Sequence, residues 1–218
     1  MIKFFSVLIA LCSTTALNCC YAENSQVEKK EHSPVMFFAY SNDVKDNFDQ
    51  GCILCTDSKH YAATIAFTTY WKITYWKNQA YLGRSLIISK RHFGTYEEMT
   101  DEEAREYREI LCQYLPALQK TFGTTHFNVA YLMNQAYRHE RADPPPIAGT
   151  PNPHFHWHVI PRYDGKRSFG GEDFYDPGFG NSFDFNRKQY LEGEFQKKAI
   201  QAIRENLGVI CLPKPGSD

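Results

Sequence analysis

The segment NPHFHWHVIPRY, residues 152 to 163, constrains the fold of this chain more than any other part of the sequence. It carries His154, His156 and His158 at alternate positions, with apolar residues between them. Successive side chains of a β-strand point to opposite faces, so we expect the three imidazoles on one face and the apolar side chains on the other. A solvated strand face is the alternative interpretation, but only eight histidines occur in 218 residues. The segment therefore predicts a strand with one packed face and one chemically active face.

The same spacing limits how these histidines could bind a metal ion. His154 and His158 are four residues apart, about 13 Å along a strand, whereas metal–nitrogen bonds are about 2 Å long, so a straight strand can lend two of the three to one ion. Other residues of suitable chemistry are Cys52 and Cys55, in a Cys-x-x-Cys motif, and His92. Together with His154 they form a Cys2His2 set, a combination that zinc favours. The sequence thus predicts a structural zinc site and leaves the other two histidines free for chemistry.

The Cys-x-x-Cys motif has two further interpretations. In an exported protein Cys52 and Cys55 could form disulfides with each other or with Cys112 and Cys211, in any of three connectivities. A thioredoxin-like redox role is disfavoured because no βαβ unit frames the motif. Zinc and a disulfide are therefore both open interpretations of this motif.

Export is predicted from the N-terminus. Lys3 precedes the apolar run from Phe4 to Cys12, and small polar residues follow, which is the layout of a secretory signal peptide. A buried N-terminal helix is the alternative. Cleavage after Ala22, or after Ala16, would release a periplasmic or secreted protein. We expect residues 1–22 to be the signal peptide.

The remainder of the chain suits one domain of ordinary size. We expect a flexible leader at residues 23–33 and a single domain at residues 34–218, with a helical extension at its C-terminal end. Lys and Arg number 24 against 25 Asp and Glu, without a long basic run, which argues against a nucleic acid polymer as partner. No segment reaches the roughly 20 apolar residues of a membrane-spanning helix.

Hydrophobic periodicity predicts an α+β domain on an antiparallel sheet. Thr100 opens a capping box for a helix that ends at Gly123. The other predicted elements are strands at Thr69 to Tyr75, Ser85 to Ser89 and His126 to Met133, the histidine strand, and a last helix at Arg187 to Asn206. For Arg162, after the histidine strand, we favour a surface role over a phosphate contact.

These segments together resemble the histidine triad (HIT) superfamily, whose signature alternates histidine with apolar residues as the segment from His154 to Ile160 does. The likeness extends over residues 50 to 163. It includes the Cys-x-x-Cys pair, the segment LGRSLIISKRH ending at His92, the helix start TDEE, and the segment FNVAYLMN ending at Asn134. This order and spacing is more specific than the three histidines alone. The nearest likeness is to bacterial HIT proteins described as diadenosine-polyphosphate hydrolase-like.

The resemblance implies a HIT-like fold and a nucleotide hydrolase that cleaves a phosphoanhydride or phosphoramidate bond at the α-phosphate. In the family the middle histidine attacks, so His156 would be the nucleophile and would form a nucleotidyl-histidine intermediate. His158 would contact the phosphate oxygens. Asn134, and as a weaker candidate Asn128, would bind the phosphate or ribose of a small nucleotide. Family members often pair, so a homodimer is an assembly to test.

The chain departs from the family pattern just before the histidines. Many members carry Gly-Gln-Ser or Gly-Gln-Thr there, whereas this chain has GTPNP at residues 149 to 153. Thr150 and Asn152 are the candidate replacements in substrate binding, and the departure puts leaving-group preference in question. Two rival functions follow: a nucleotidyl transferase or phosphorylase on the same site, and a nucleotide-binding or zinc-binding module without turnover.

Overall fold

A five-stranded antiparallel sheet with strand order β1-β2-β3-β5-β4 forms the centre of the fold. The computed structural model describes residues 34–39, 49, 52–56, 63–134 and 151–210, and these exclude the predicted signal peptide and leader. The sheet strands are β1 Thr64–Phe67, β2 Trp71–Tyr75, β3 Ser85–Ser89, β4 His126–Tyr131 and β5 His156–Arg162. A separate hairpin pairs β6 Arg167–Phe169 with β7 Glu172–Phe174. The predicted α+β class on an antiparallel sheet is confirmed.

Among the described residues, three α-helices and one short 3-10 helix accompany these strands. They are α1 Ile53–Thr56, the 3-10 helix Tyr96–Glu98, α2 Asp101–Phe122 and α3 Glu194–Leu207. In α2 the Thr100 side chain accepts a hydrogen bond from the Glu103 amide, and the Glu103 carboxylate accepts one from the Thr100 amide. Gly123 ends the helix in the left-handed conformation, at φ 66°. Both predicted ends of this helix are confirmed.

The last helix begins later than predicted, at Glu194 rather than at Arg187. The Asn78 side chain donates to the carbonyl of Arg187 and accepts from the amide of Gln189, and these bonds hold the stretch in a non-helical conformation. We call residues 175–193 the strap. The local sequence of the strap predicted a helix from Arg187 onward. Hydrogen bonds between its backbone and the distant Asn78 override that local pattern.

The apolar face of the sheet packs against α2 and α3. Phe155, Trp157 and Val159 of the histidine segment are buried there, at 0%, 5% and 0% exposure. Fully burying such a side chain contributes about 1.5 to 3 kcal/mol. The three histidines therefore lie on the opposite face, as the alternation predicts.

The register of β5 holds the histidines in the middle of the sheet. On one side His156 pairs with Ile88 and His158 with Leu86 of β3. On the other side β4 pairs with β5 from Trp157 to Arg162. A slip of one residue would exchange the two faces, so burial of the apolar side chains fixes the position of the imidazoles.

Within the described ranges, no helix is long and apolar enough to cross a bilayer.

Candidate functional site

Two cysteines and two histidines form a compact cluster at one end of the histidine row. The Sγ atoms of Cys52 and Cys55 lie 3.3 Å and 3.4 Å from Nδ1 of His154, and Sγ of Cys55 lies 3.5 Å from Nδ1 of His92. All four candidate ligand atoms fall within 4.8 Å of one another. In a tetrahedral zinc site, the bond lengths imply a sulfur–nitrogen separation of about 3.6 Å. The cluster could therefore hold a metal ion, and its donor set and spacing fit zinc.

Outer hydrogen bonds orient both histidines of this cluster. Nε2 of His154 lies 2.8 Å from the carbonyl oxygen of Ser89, and Nε2 of His92 lies 2.8 Å from Oδ1 of Asn152. The Asn152 amide in turn donates to the carboxylate of Asp49 at 3.1 Å. A proton held on each Nε2 leaves a lone pair on each Nδ1, the atom that faces the sulfurs. The histidines are thus prepared for metal ligation.

The two thiols of the cluster are buried, and neither is part of a disulfide. A hydrogen bond between them lowers the pKa of Cys55 and raises the pKa of Cys52. Their positions therefore favour one thiolate that accepts from the neighbouring thiol, and a bound cation would favour deprotonation of both. Among the described residues this arrangement supports metal ligation rather than the disulfide alternative.

The middle histidine is buried and held in one tautomer. His156 is 1% exposed, and its Nδ1 lies 2.6 Å from the carbonyl oxygen of His154. A carbonyl only accepts, so Nδ1 carries the proton and Nε2 keeps a free lone pair. Burial lowers the pKa of His156 to about 4, so the ring is neutral at pH 7. Its Nε2 is therefore a nucleophilic atom at neutral pH.

Asn134 contacts both remaining histidines. Its Oδ1 lies 2.7 Å from Nε2 of His156 and 3.1 Å from Nε2 of His158. Because Nε2 of His156 carries a lone pair, a hydrogen bond there needs a donor from Asn134. Rotating the Asn134 amide by about 180° exchanges its oxygen and nitrogen and places the NH2 group, a donor, opposite Nε2. Asn134 therefore sits where it can contact any group that approaches the two imidazoles.

His158 lies beside Nε2 of His156 and is buried next to aromatic rings. Burial, followed by the proximity of His156 and the positive charge of Arg84, lowers the pKa of His158 to about 3, and its buried Nδ1 has no hydrogen-bond partner. The rings of Trp76 and Phe185 each lie 6.4 Å from the imidazole. Both inner histidines are therefore neutral at physiological pH.

The other predicted substrate-binding residues lie elsewhere. Asn152 belongs to the Cys/His cluster, where both polar atoms of its amide are engaged, and Asn128 accepts a hydrogen bond from Arg162 at 2.7 Å. Thr150 is outside the described residues. The substrate roles of these three residues remain predictions, and the contacts of Asn152 support a role in positioning His92.

The surface role expected of Arg162 is wrong. This side chain is buried and donates to both carboxylate oxygens of Asp176, at 2.6 Å and 3.1 Å. It also donates to the carbonyls of Gly178 and Asn181 in the strap. The period of two that runs through the histidines extends to residue 162 and could have indicated its face. Its partner Asp176 lies 14 residues further along the chain, and no local sequence pattern indicated that the two residues would pair.

A second arginine was missed by sequence reasoning. Arg84 immediately precedes β3 and is 3% exposed. Its charge is one of the causes that lower the pKa of His158. It lies two residues before Leu86, which pairs with His158, so it belongs to the face that carries the histidines.

Comparison with known proteins finds a sequence relative that matches part of the chain and solved structures that share its fold. No family model matches the chain. The uncharacterized HIT-like protein MJ0866 of Methanocaldococcus jannaschii is 29% identical over 86 residues, which are 38% of this chain and 55% of the relative. The chain thus spans about half the length of that relative.

Solved structures share the fold. A HIT-like protein involved in cell-cycle regulation from Bartonella henselae superposes with a TM-score of 0.50 at 15% identity, over 74% of this chain and 99% of that one. The uncharacterized protein LPG0439 superposes with a TM-score of 0.55 at 14% identity, over 76% of this chain and 86% of that one. At these identities the likeness shows the HIT-like fold alone.

Proposed function

We propose that this chain is a histidine triad protein that hydrolyses nucleotides at the α-phosphate, a proposal supported by its partial HIT-like relative and its HIT-like fold. The bond cleaved is a phosphoanhydride or a phosphoramidate. One observation carries the proposal: the hydrogen bond from Nδ1 of His156 to the carbonyl of His154, which leaves a buried, neutral imidazole with its lone pair on Nε2. Such an atom is suited to attack phosphorus near neutral pH.

The reaction proceeds in two displacements. In the first, the lone pair of His156 Nε2 forms a bond to the α-phosphorus, and the bond to the leaving group breaks with its electron pair. From a phosphoanhydride the leaving phosphate departs as an anion, and from a phosphoramidate the leaving nitrogen takes up a proton from water and departs as an amine. The imidazolium that results keeps the proton on Nδ1, which still donates its hydrogen bond to the carbonyl of His154. This bond stabilises the new positive charge. In the second, water attacks the phosphorus, the nitrogen–phosphorus bond breaks, and one proton is released. His156 is then neutral again.

His158 and Asn134 are the proposed phosphate partners. Both present polar atoms within 3.1 Å of each other beside Nε2 of His156. Fixed, buried groups of this kind act strongly on the charge that develops on the phosphate oxygens. We further propose that the Cys/His cluster binds zinc as a structural ion that orients the strand carrying His156.

The test is nucleotide release by residues 23–218 from diadenosine tetraphosphate and from adenosine phosphoramidate. We expect AMP from at least one substrate, no release by His156→Ala, and a covalent AMP adduct in the wild type after rapid quenching. His126→Ala, which removes an exposed histidine of β4, is the matched control and should retain activity. Release that survives His156→Ala would contradict the proposed nucleophile.

Two outcomes would redirect the assignment. ADP formation that depends on added inorganic phosphate would indicate a phosphorylase on the same atoms, because phosphate would then replace water in the second displacement. Nucleotide binding by the wild type and by His156→Ala, without product from either, would indicate a binding module.

A further inference from the structure

Arg84 is a buried cation that the proposed reaction does not yet use. Its side chain is 3% exposed, and its Nε is buried without a hydrogen-bond partner. Within the described part of the chain, no carboxylate lies within the 4.0 Å of an ion pair with it. Arg162, by contrast, is equally buried but is paired with Asp176, Asn128 and two carbonyls. Among the described residues, Arg84 therefore lacks the kind of acceptors that compensate the charge of Arg162.

The surroundings of Arg84 connect it to the inner histidines. The ring of Phe185, from the strap, lies 5.8 Å from the guanidinium carbon and 6.4 Å from the ring centre of His158. Phe185 is 48% exposed, so this space has a side open to solvent. Burial lowers the pKa of Arg84, yet a guanidinium remains protonated at neutral pH. A positive charge thus lies beyond His158 on the active face.

We infer that Arg84 recognises a second phosphate of the substrate, so that this site prefers nucleotides with two or more phosphates to phosphoramidates with an uncharged leaving group. The inference rests on the proposed function. A buried charge without a partner is costly, and an anion bound beside it offsets that cost. The flat, forked guanidinium also matches the geometry of a phosphate group. A phosphoramidate supplies only the α-phosphate, which His158 and Asn134 already contact.

The test compares kcat/KM for diadenosine tetraphosphate with kcat/KM for adenosine phosphoramidate. For Arg84→Met we expect the ratio of the two to fall by about 10- to 100-fold, the loss expected for a hydrogen bond to a charged group. Arg84→Lys keeps the charge without the fork and should give an intermediate ratio. Arg105→Met removes the same charge from an exposed position of α2 and should leave the ratio unchanged. Equal loss on both substrates with Arg84→Met would overturn the inference.

A binding measurement separates this inference from the proposed function. The affinities for ADP and for AMP are measured by calorimetry for the wild type and for Arg84→Met. We expect wild type to prefer ADP and the variant to lose that preference, even if neither nucleotide is turned over. An unchanged preference would overturn the inference while leaving the hydrolase intact. Methionine is of similar length and apolar, and a buried charge replaced in this way often costs little stability, which a melting curve of the variant checks.

Discussion

At the scale of single residues, reactivity depends on keeping His156 and His158 neutral in a buried setting. Burial is the largest cause of the low pKa of both rings. An imidazole with the ordinary pKa of about 6.5 would be half protonated at about pH 6.5, and the protonated half could not attack phosphorus. The buried rings therefore extend the active protonation state to lower pH.

The pH profile tests this argument. We expect kcat/KM to stay level from about pH 8 to about pH 5 and to fall only as pH approaches 4, where His156 begins to protonate. A break near pH 6.5 in kcat/KM, with a substrate whose own ionisation does not change there, would contradict the argument. Diadenosine tetraphosphate turnover in buffers of constant ionic strength gives the measurement.

The same shifts act on stability, with a sign that follows from proton uptake. The folded pKa of each ring is lower than the unfolded value of about 6.5, so the unfolded chain binds more protons between about pH 6.5 and 4. The free energy of unfolding should therefore fall as pH decreases through this window. His158→Asn should show a smaller fall than the wild type in urea unfolding at pH 7 and pH 5. An equal fall in both proteins would assign the acid sensitivity to other groups.

At the scale of elements, the strap is fastened to the end of β5 by a buried ion pair. Arg162 and Asp176 have side chains 4% and 0% exposed. Removing one partner of such a pair leaves an uncompensated buried charge and costs about 3 to 5 kcal/mol. We expect Asp176→Asn to lower the free energy of unfolding by that order, measured by urea denaturation.

An exposed ion pair of the hairpin gives the control. Lys166 and Asp173 are joined at 2.6 Å, with side chains 49% and 48% exposed. Because solvent screens such surface pairs, Asp173→Asn should change stability little. Similar losses from the two substitutions would mean that burial does not govern the strength of the Arg162 pair.

The elements also show which features are predictable from sequence. The bounds of β3 and of α2 were predicted from local signals: an apolar run after Gly83 for β3, and for α2 the capping box at Thr100 with Gly123 at its end. The late start of α3 and the burial of Arg162 depend on Asn78 and Asp176, which are distant in sequence. Partners of that kind leave no periodic signal. The Cys2His2 set was found because its members have a chemistry that is recognisable at any separation.

At the scale of the whole molecule, the predicted signal peptide remains to be tested. We expect the full chain to be exported and its mature N-terminus to follow Ala22 or Ala16. Cell fractionation, with N-terminal sequencing of the recovered protein, provides the measurement. Deletion of residues 1–22 should retain the protein inside the cell. Intact residues 1–22 on fractionated protein would contradict the prediction and favour a buried N-terminal helix.

The proposed zinc ion would join parts of the chain that are far apart in sequence. Cys52 and His154 are separated by 102 positions, and His92 follows β3. A metal that binds the folded chain alone adds about 4 kcal/mol to stability at a free concentration 1,000 times its Kd. We expect one zinc per chain, and a lower urea midpoint after removal of the metal with a chelator. Cys52→Ser should reduce zinc to well below one per chain, whereas Cys112→Ser, at an exposed free cysteine of α2, should leave it unchanged. Full zinc occupancy in Cys52→Ser would eliminate this site, and thiol mapping of the exported protein would then reveal whether a disulfide replaces it.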